Sequence, residues 1–206
     1  MSYLLGEKQI QYLFNITPID NLELILKNGL MCKNDIIRLN IDRVDLSNQE
    51  VQSLRDNVLV DNENELHDYA NLYFNPRNAM LYSLICKGKI NSLCIICIDP
   101  FVLDKDGVVI TNQNAAAAGT IFSSVNDCLS FLNFDEIYLK SWDSNDYLEK
   151  IRLKKVIMSE ALVPKIIEPT YIKMIYVPNE FVKNKLEDIS VLYNIEVLIN
   201  KDLFFE

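Results

Sequence analysis

The chain predicts a single α+β domain, and three observations carry that expectation. Its apolar runs are short and strand-sized, with a few helix-sized amphipathic stretches between them. Gly (5) and Pro (6) are scarce in 206 residues, which favours regular elements joined by short connections. The glycines stand at 6, 29, 88, 107 and 119, so the Gly-rich phosphate loop that opens many doubly wound sheets is absent. With 50% apolar residues the chain can bury a full core, and residues 1–206 are expected to form one domain.

In chain order, residues 12–16 (YLFNI) read as the first strand. Thr17-Pro18-Ile19-Asp20 follows as a turn into a helix with Pro in its first turn. Leu22, Ile25, Leu26 and Leu30 then form an apolar stripe at helical spacing, and Gly29 is the expected C-cap. Residues 33–65 are polar and irregular, with one short helix starting at Ser47 and Glu50 at its capping-box position. So long a polar stretch between ordered elements is often functional or mobile, and it carries Arg38, Arg43 and Arg55. Strands are expected over 69–74, 92–98, 108–111, 137–139, 156–162, 172–177 and 197–198. Helices are expected over 79–87, 115–118, 125–132, 147–152 and 180–186.

Composition narrows the function classes. A net charge of −9 excludes a protein whose whole surface grips nucleic acid, though not one with a local basic groove. The longest apolar run, residues 93–98, is far too short to span a membrane, and the N-terminus lacks a basic, cleavable leader, so a cytoplasmic protein is expected. Five cysteines without a secretion signal indicate reduced thiols. Cys94 and Cys97 have redox spacing but lie in one apolar run, where strand alternation sends residues three apart to opposite faces. With a single His and no second Cys pair, no metal site is expected.

The stretch 66–81, LHDYANLYFNPRNAML, is the most informative. It holds His67, the chain's one histidine, with Asp68, Tyr69, Tyr73, Arg77 and Asn78 interleaved among Leu72, Phe74, Met80 and Leu81. Its apolar members can anchor it while the others face a ligand; an ordinary half-buried strand and turn fits as well. Glu160 stands among Val156, Met158, Ala161 and Val163, and a carboxylate on an apolar face is costly unless paired or used. Arg55 ends the helix-like NQEVQSLRD and can clamp a phosphate or carboxylate, or simply cap the helix. Asn15, Thr17 and Asn21 cluster where the first strand ends, offering donors and acceptors to an amide-bearing ligand. Asn112-Gln113-Asn114 reads as a loop and cap.

Taken in order, FNITPIDNLELILKNGL, SNQEVQSLRDNVLV, LHDYANLYFNPRNAML, TNQNAA and MSEALVP resemble the DarT family of DNA ADP-ribosyltransferase toxins, over residues 12–177. The resemblance implies an ADP-ribosyltransferase fold, a split mixed β-sheet around an NAD⁺ cleft. It implies transfer of ADP-ribose from NAD⁺ to a base of single-stranded DNA, with a DarG-like macrodomain antitoxin as partner and the enzyme acting as a monomer. It makes Glu160 and Arg55 catalytic, and Asn15, Thr17, Asn21, His67, Tyr69, Tyr73 and Met80 contacts of NAD⁺. The chain departs from the family where many members have His at the positions of Asn15 and Pro18. ANLYFNPRNAM in place of VPFYF…RSPM resembles the branch associated with guanine rather than thymine. The alternatives are an RNA or protein acceptor on the same fold, or a decayed, non-enzymatic nucleotide-binding domain.

Overall fold

A computed structural model describes residues 10–44, 53–60 and 64–206. The expected helix at Ser47 lies outside these residues. The first strand, β1, is Leu13–Pro18, and a 3₁₀ turn at Ile19–Asn21 leads into α1, Leu22–Asn28. Thr17 and Pro18 thus belong to the strand and not to a turn. Their pairing with Cys94 and Leu93 prevails over local turn preference, and Pro is tolerated because it ends the strand. Helix α1 buries Leu22, Ile25 and Leu26, and Gly29 caps it at φ 91°. Strand β2 is Leu30–Met31, and α2 is Lys33–Arg38, capped by the Cys32 thiol accepting from the Asp35 N–H. This helix falls in the stretch expected to be irregular.

Strand β3 is Tyr69–Tyr73, α3 is Ala79–Cys86 and β4 is Leu93–Ile98. Strands β5, Val109–Thr111, and β6, Phe122–Ser124, follow. Helix α4 is Phe134–Ile137 and α5 is Tyr147–Val156; β7 is Glu160–Pro164, β8 Ile166–Ile167 and β9 Ile172–Val177. Helices α6, Glu180–Lys185, and α7, Glu187–Tyr193, precede β10, Glu196–Ile199.

Four expectations are corrected. Residues 115–118 form a turn, because side chains capture the backbone: Asn114 Oδ1 accepts the Ala116 N–H and Gln113 Nε2 donates to the Ala118 carbonyl. Residues 125–132 contain only a 3₁₀ turn, Cys128–Ser130. Ile137 ends a helix capped by Asn133, so 137–139 is not a strand. Val156 ends α5, and β7 starts only at Glu160: Leu153 and Ile157, four apart and both buried, continue the helical stripe.

Eight strands form one mixed sheet in the order β10-β9-β4-β1-β3-β7-β5-β6; β10 and β9 run parallel, and the other neighbours antiparallel. A small second sheet pairs β2 with β8. All six residues of β4 are buried, because both its faces are covered: Cys94, Ile96 and Ile98 join the larger core, Leu93 and Ile95 the core under α3. Alternation sends the Cys94 and Cys97 thiols to opposite faces, and burial pushes Cys94 up to about 12 and raises Cys97 as well.

Gly29 is where the small sheet meets α1. A Cβ there would stand 2.6 Å from the Ile167 carbonyl oxygen, on a backbone L side chains rarely adopt. Gly29→Ala should cost about 1–3 kcal/mol. A thermal melt should show it as a Tm lowered by roughly 2–12 °C.

Candidate active site

The site opens where the large sheet divides. β1 and β3 pair only at Phe14 and Tyr73; beyond that point β1 follows β4 and β3 follows β7. The gap widens into a cleft of about 420 Å³. Asn15 reaches across the seam, its Nδ2 donating to the Asn71 carbonyl at 3.2 Å. Along β3, Ala70 and Leu72 enter the main core while Tyr69, Asn71 and Tyr73, on the opposite face, line the cleft. Asn15, Thr17, Asn21, His67 and Met80 also line it, as does Arg55.

Glu160 opens β7 opposite Tyr73 and has no exposed surface. Its backbone N–H donates to Thr111 Oγ1 at 3.1 Å. Its carboxylate Oε1 accepts from the Ala115 N–H at 3.1 Å, and both oxygens face the Arg55 guanidinium at 3.4 Å. Arg55 is itself 8% exposed. Burial works against its charge, but the Glu160 carboxylate outweighs that and holds the guanidinium above its ordinary value. Burial, and then the Glu160 carboxylate, raise the Tyr73 phenol, which points to Met80 Sδ at 3.5 Å. Glu160 does not itself line the cleft; Arg55 stands in front of it.

A second cluster lies one residue along. Asp56 Oδ1 is 2.7 Å from His67 Nε2 and 3.2 Å from Lys33 Nζ, and Lys33 stands 3.3 Å from the same imidazole nitrogen. Asn21 clamps the chain on the other side, donating to the Val44 carbonyl and accepting the Val44 N–H, both at 2.8 Å.

A family model described as "ssDNA thymidine ADP-ribosyltransferase, DarT" matches residues 14–205. The chain belongs to the DarT family. A DNA ADP-ribosyl transferase–DNA ADP-ribosyl glycohydrolase fusion protein of Thermosipho africanus is 31% identical over 149 residues, 72% of this chain and 37% of the relative. The chain therefore spans little more than a third of that relative's length. Among solved structures, Thermosipho africanus DarTG in complex with ADP-ribose superposes with a TM-score of 0.83 at 31% identity, over 94% of this chain and 51% of that one. Thermus sp. 2.9 DarT in complex with ADP-ribosylated ssDNA gives 0.81 at 22% identity, over 95% and 97%. The same protein in complex with NAD⁺ gives 0.73 at 21%, over 93% and 96%. The fold is the mixed α+β fold of the DarT ADP-ribosyltransferases, as the sequence led one to expect.

Within this DarT domain, the residues expected to be catalytic or to contact NAD⁺ gather round one cleft, with Glu160 behind Arg55, while Asn78, Arg77 and Arg38 do not join them. Asn78 is wholly buried as the cap of α3, accepting the Met80 and Leu81 N–H groups. Arg77 donates from Nε to the Lys140 carbonyl at 2.7 Å, with its guanidinium 4.2 Å from the Phe205 ring, and so braces the C-terminus. Arg38 also turns away, pairing with Asp35 in its own helix. Sequence reasoning missed Asp56 and Lys33, whose partners lie far along the chain or on another element, and Asn71, which the period-two alternation of Tyr69 and Tyr73 could have flagged. Among the described residues, no helix is long and apolar enough to cross a membrane.

Burial, then Lys33, hold the His67 imidazole below its ordinary 6.5 against the pull of Asp56; Arg55 adds to the lowering. Below pH 6.5 the unfolded chain takes a proton that the folded one resists. This part of the stability is therefore complete above that pH and is lost as pH falls toward the depressed folded value. Denaturant titrations from pH 7 to pH 5 should show stability falling, and His67→Gln should remove part of that slope. An unchanged slope in the variant would contradict the assignment.

Proposed function

We propose that this chain transfers ADP-ribose from NAD⁺ to a base of single-stranded DNA, with guanine as the base. The observation that carries the transfer reading is the charge of the cleft, while the choice of guanine rests on the resemblance of ANLYFNPRNAM to the guanine-associated branch. In a protein of net charge −9, the described residues lining it include Lys33, Arg43, Arg55 and Lys87 and no Asp or Glu. Arg43 and Lys87 make no ion pair among the described residues, so both are available to phosphate oxygens. Two polyanions have to meet in this reaction, a dinucleotide and a DNA strand, and a local cationic cleft suits both.

Asn15, Thr17, Asn21, Tyr69, Tyr73 and Met80 form the NAD⁺-binding wall in this reading, Asn15 and Thr17 toward the carboxamide and ribose, Asn21 shaping the wall through Val44, and the aromatic and thioether groups toward the ring faces. The bond from C1′ to nicotinamide breaks with its electron pair leaving on nicotinamide, and C1′ gains positive character. The Glu160 carboxylate stabilises that charge and takes the proton that the attacking amine of the base gives up as the new C1′–N bond forms. Arg55 holds the pyrophosphate or the base. Its 3.4 Å contacts with Glu160 are loose for a charge pair, so part of the guanidinium can move aside to expose the carboxylate. A single strand is the cheaper acceptor, because its bases need no flipping. A DarG-like macrodomain glycohydrolase is the natural partner; the Thermosipho relative carries both activities in its name. The chemistry asks for no metal.

Mass spectrometry of single-stranded oligonucleotides incubated with protein, NAD⁺ and a chelator should show one ADP-ribose increment on those containing guanine. An increment on thymine alone would overturn the base assignment, and none on any oligonucleotide would overturn the function. Glu160→Gln keeps an acceptor for the Ala115 N–H and should lower transfer by about a thousandfold, as loss of a proton acceptor combined with loss of a charge. Glu160→Ala strands the Arg55 charge and should in addition cost about 3–5 kcal/mol of stability.

A further inference from the structure

Arg55 and Asp56 are consecutive, yet they face opposite ways. Arg55 turns inward to the Glu160 carboxylate, while Asp56 turns outward, 54% exposed, to His67 and Lys33. We propose that His67 and Lys33, acting through Asp56, position the Arg55 guanidinium against Glu160, and that His67 is a positioning residue rather than a contact of the dinucleotide. This rests on the reading of Arg55 as part of the transfer machinery.

The segment carrying Arg55 packs at its far end, where Val60 and Val58 join a small core with Leu66, Tyr69, Ala115 and Leu162. Residues 53–60 hold one helical turn at their start, a bridge from Leu59 to Glu65 and two backbone bonds to that same neighbourhood, from the Val60 N–H to the Asn64 carbonyl and from the Leu66 N–H to the Val58 carbonyl. A bridge and local turns fix the backbone but do not fix its rotation about the chain, which decides whether the Arg55 side chain points into the cleft. Asp56 fixes that rotation, because its carboxylate is held from two elements at once: His67 on the 3₁₀ turn Leu66–Asp68 and Lys33 on α2.

The anchors are themselves anchored. Asn34 donates to Asp68 at 3.1 Å and Lys165 pairs with Asp68 at 2.6 Å, so α2, the 3₁₀ turn and the residue after β7 are stapled together. His67 is 8% exposed, so its imidazole is enclosed on most sides. At 2.7 Å from a carboxylate its Nε2 carries the proton and donates, as Lys33 does; the two cannot donate to each other, and their 3.3 Å approach comes from sharing one acceptor. The imidazole nitrogen that would be asked to recognise a ligand is thus already committed to Asp56.

The test reads the guanidinium directly. In ¹H–¹⁵N spectra a buried, paired Arg55 should give a sharp Nε–H resonance, assigned by its loss in Arg55→Lys. Asp56→Ala and His67→Ala should each broaden or remove it, whereas His67→Gln, whose amide can donate over the same reach, should restore it. In the transfer assay the two alanine variants should each lower kcat about tenfold or more while KM for NAD⁺ moves less than about threefold, the pattern of a lost transition-state contact. The double variant should be no slower than the slower single, because both break one linkage. A sharp Arg55 resonance in Asp56→Ala overturns the proposal. So does a His67→Gln variant with a raised KM for NAD⁺, or additive losses in the double variant. If the wild type transfers nothing, the functional reading fails alone, and the Arg55 resonance still decides positioning.

Discussion

A carboxylate with no exposed surface must be met by a cation or by hydrogen-bond donors, and Glu160 has both. The Arg55 guanidinium covers one side and the Ala115 N–H the other. Much of the surrounding architecture follows from that one need. Arg55 comes from a segment more than a hundred residues earlier in the chain, and Ala115 from a turn that side chains hold out of helical geometry. Thr111, at the end of β5, holds the Glu160 backbone so that the carboxylate faces both. Remove the guanidinium and a charge is left in a medium that cannot solvate it.

The charge layout has the same economy. Carboxylates are in excess over the whole chain, and several lysines and arginines outside the cleft sit in surface pairs such as Arg152 with Glu136 and Glu149 or Lys105 with Glu168. Such pairs add little stability in water. What sets the cleft apart is that the described residues lining it carry cations and no carboxylate.

Much of this was legible in the residues, and the failures have physical causes. β4 and β9 declared themselves because a continuous or alternating apolar run has few other ways to be satisfied, and α1 because its stripe and Gly29 agree. Glu160 was found for a partly wrong reason: Val156 and Met158 do not share a strand with it, yet a lone acid among apolar neighbours pointed correctly to burial. The Ala115–Ala118 run (AAAA) has the best helix formers there are, and lost to three polar neighbours that capture its backbone. Helix α2 and the small sheet were hidden because their stability comes from partners distant in sequence. Lys33, Asp56 and His67 could not be joined by reading along the chain, since each is an unremarkable surface-type residue until the fold brings the three together.

The seam between β1 and β3 carries one more consequence. A sheet transmits order from strand to strand through its ladder, and here the ladder across the middle has a single rung, at Phe14 and Tyr73. The chain is covalently continuous but mechanically bipartite: β1, β4, β9 and β10 form one plate, and β3, β7, β5 and β6 the other. The plates are held together by the cores above and below more than by the backbone. The line where the backbone ladder is thinnest is thus also the line along which the cleft opens.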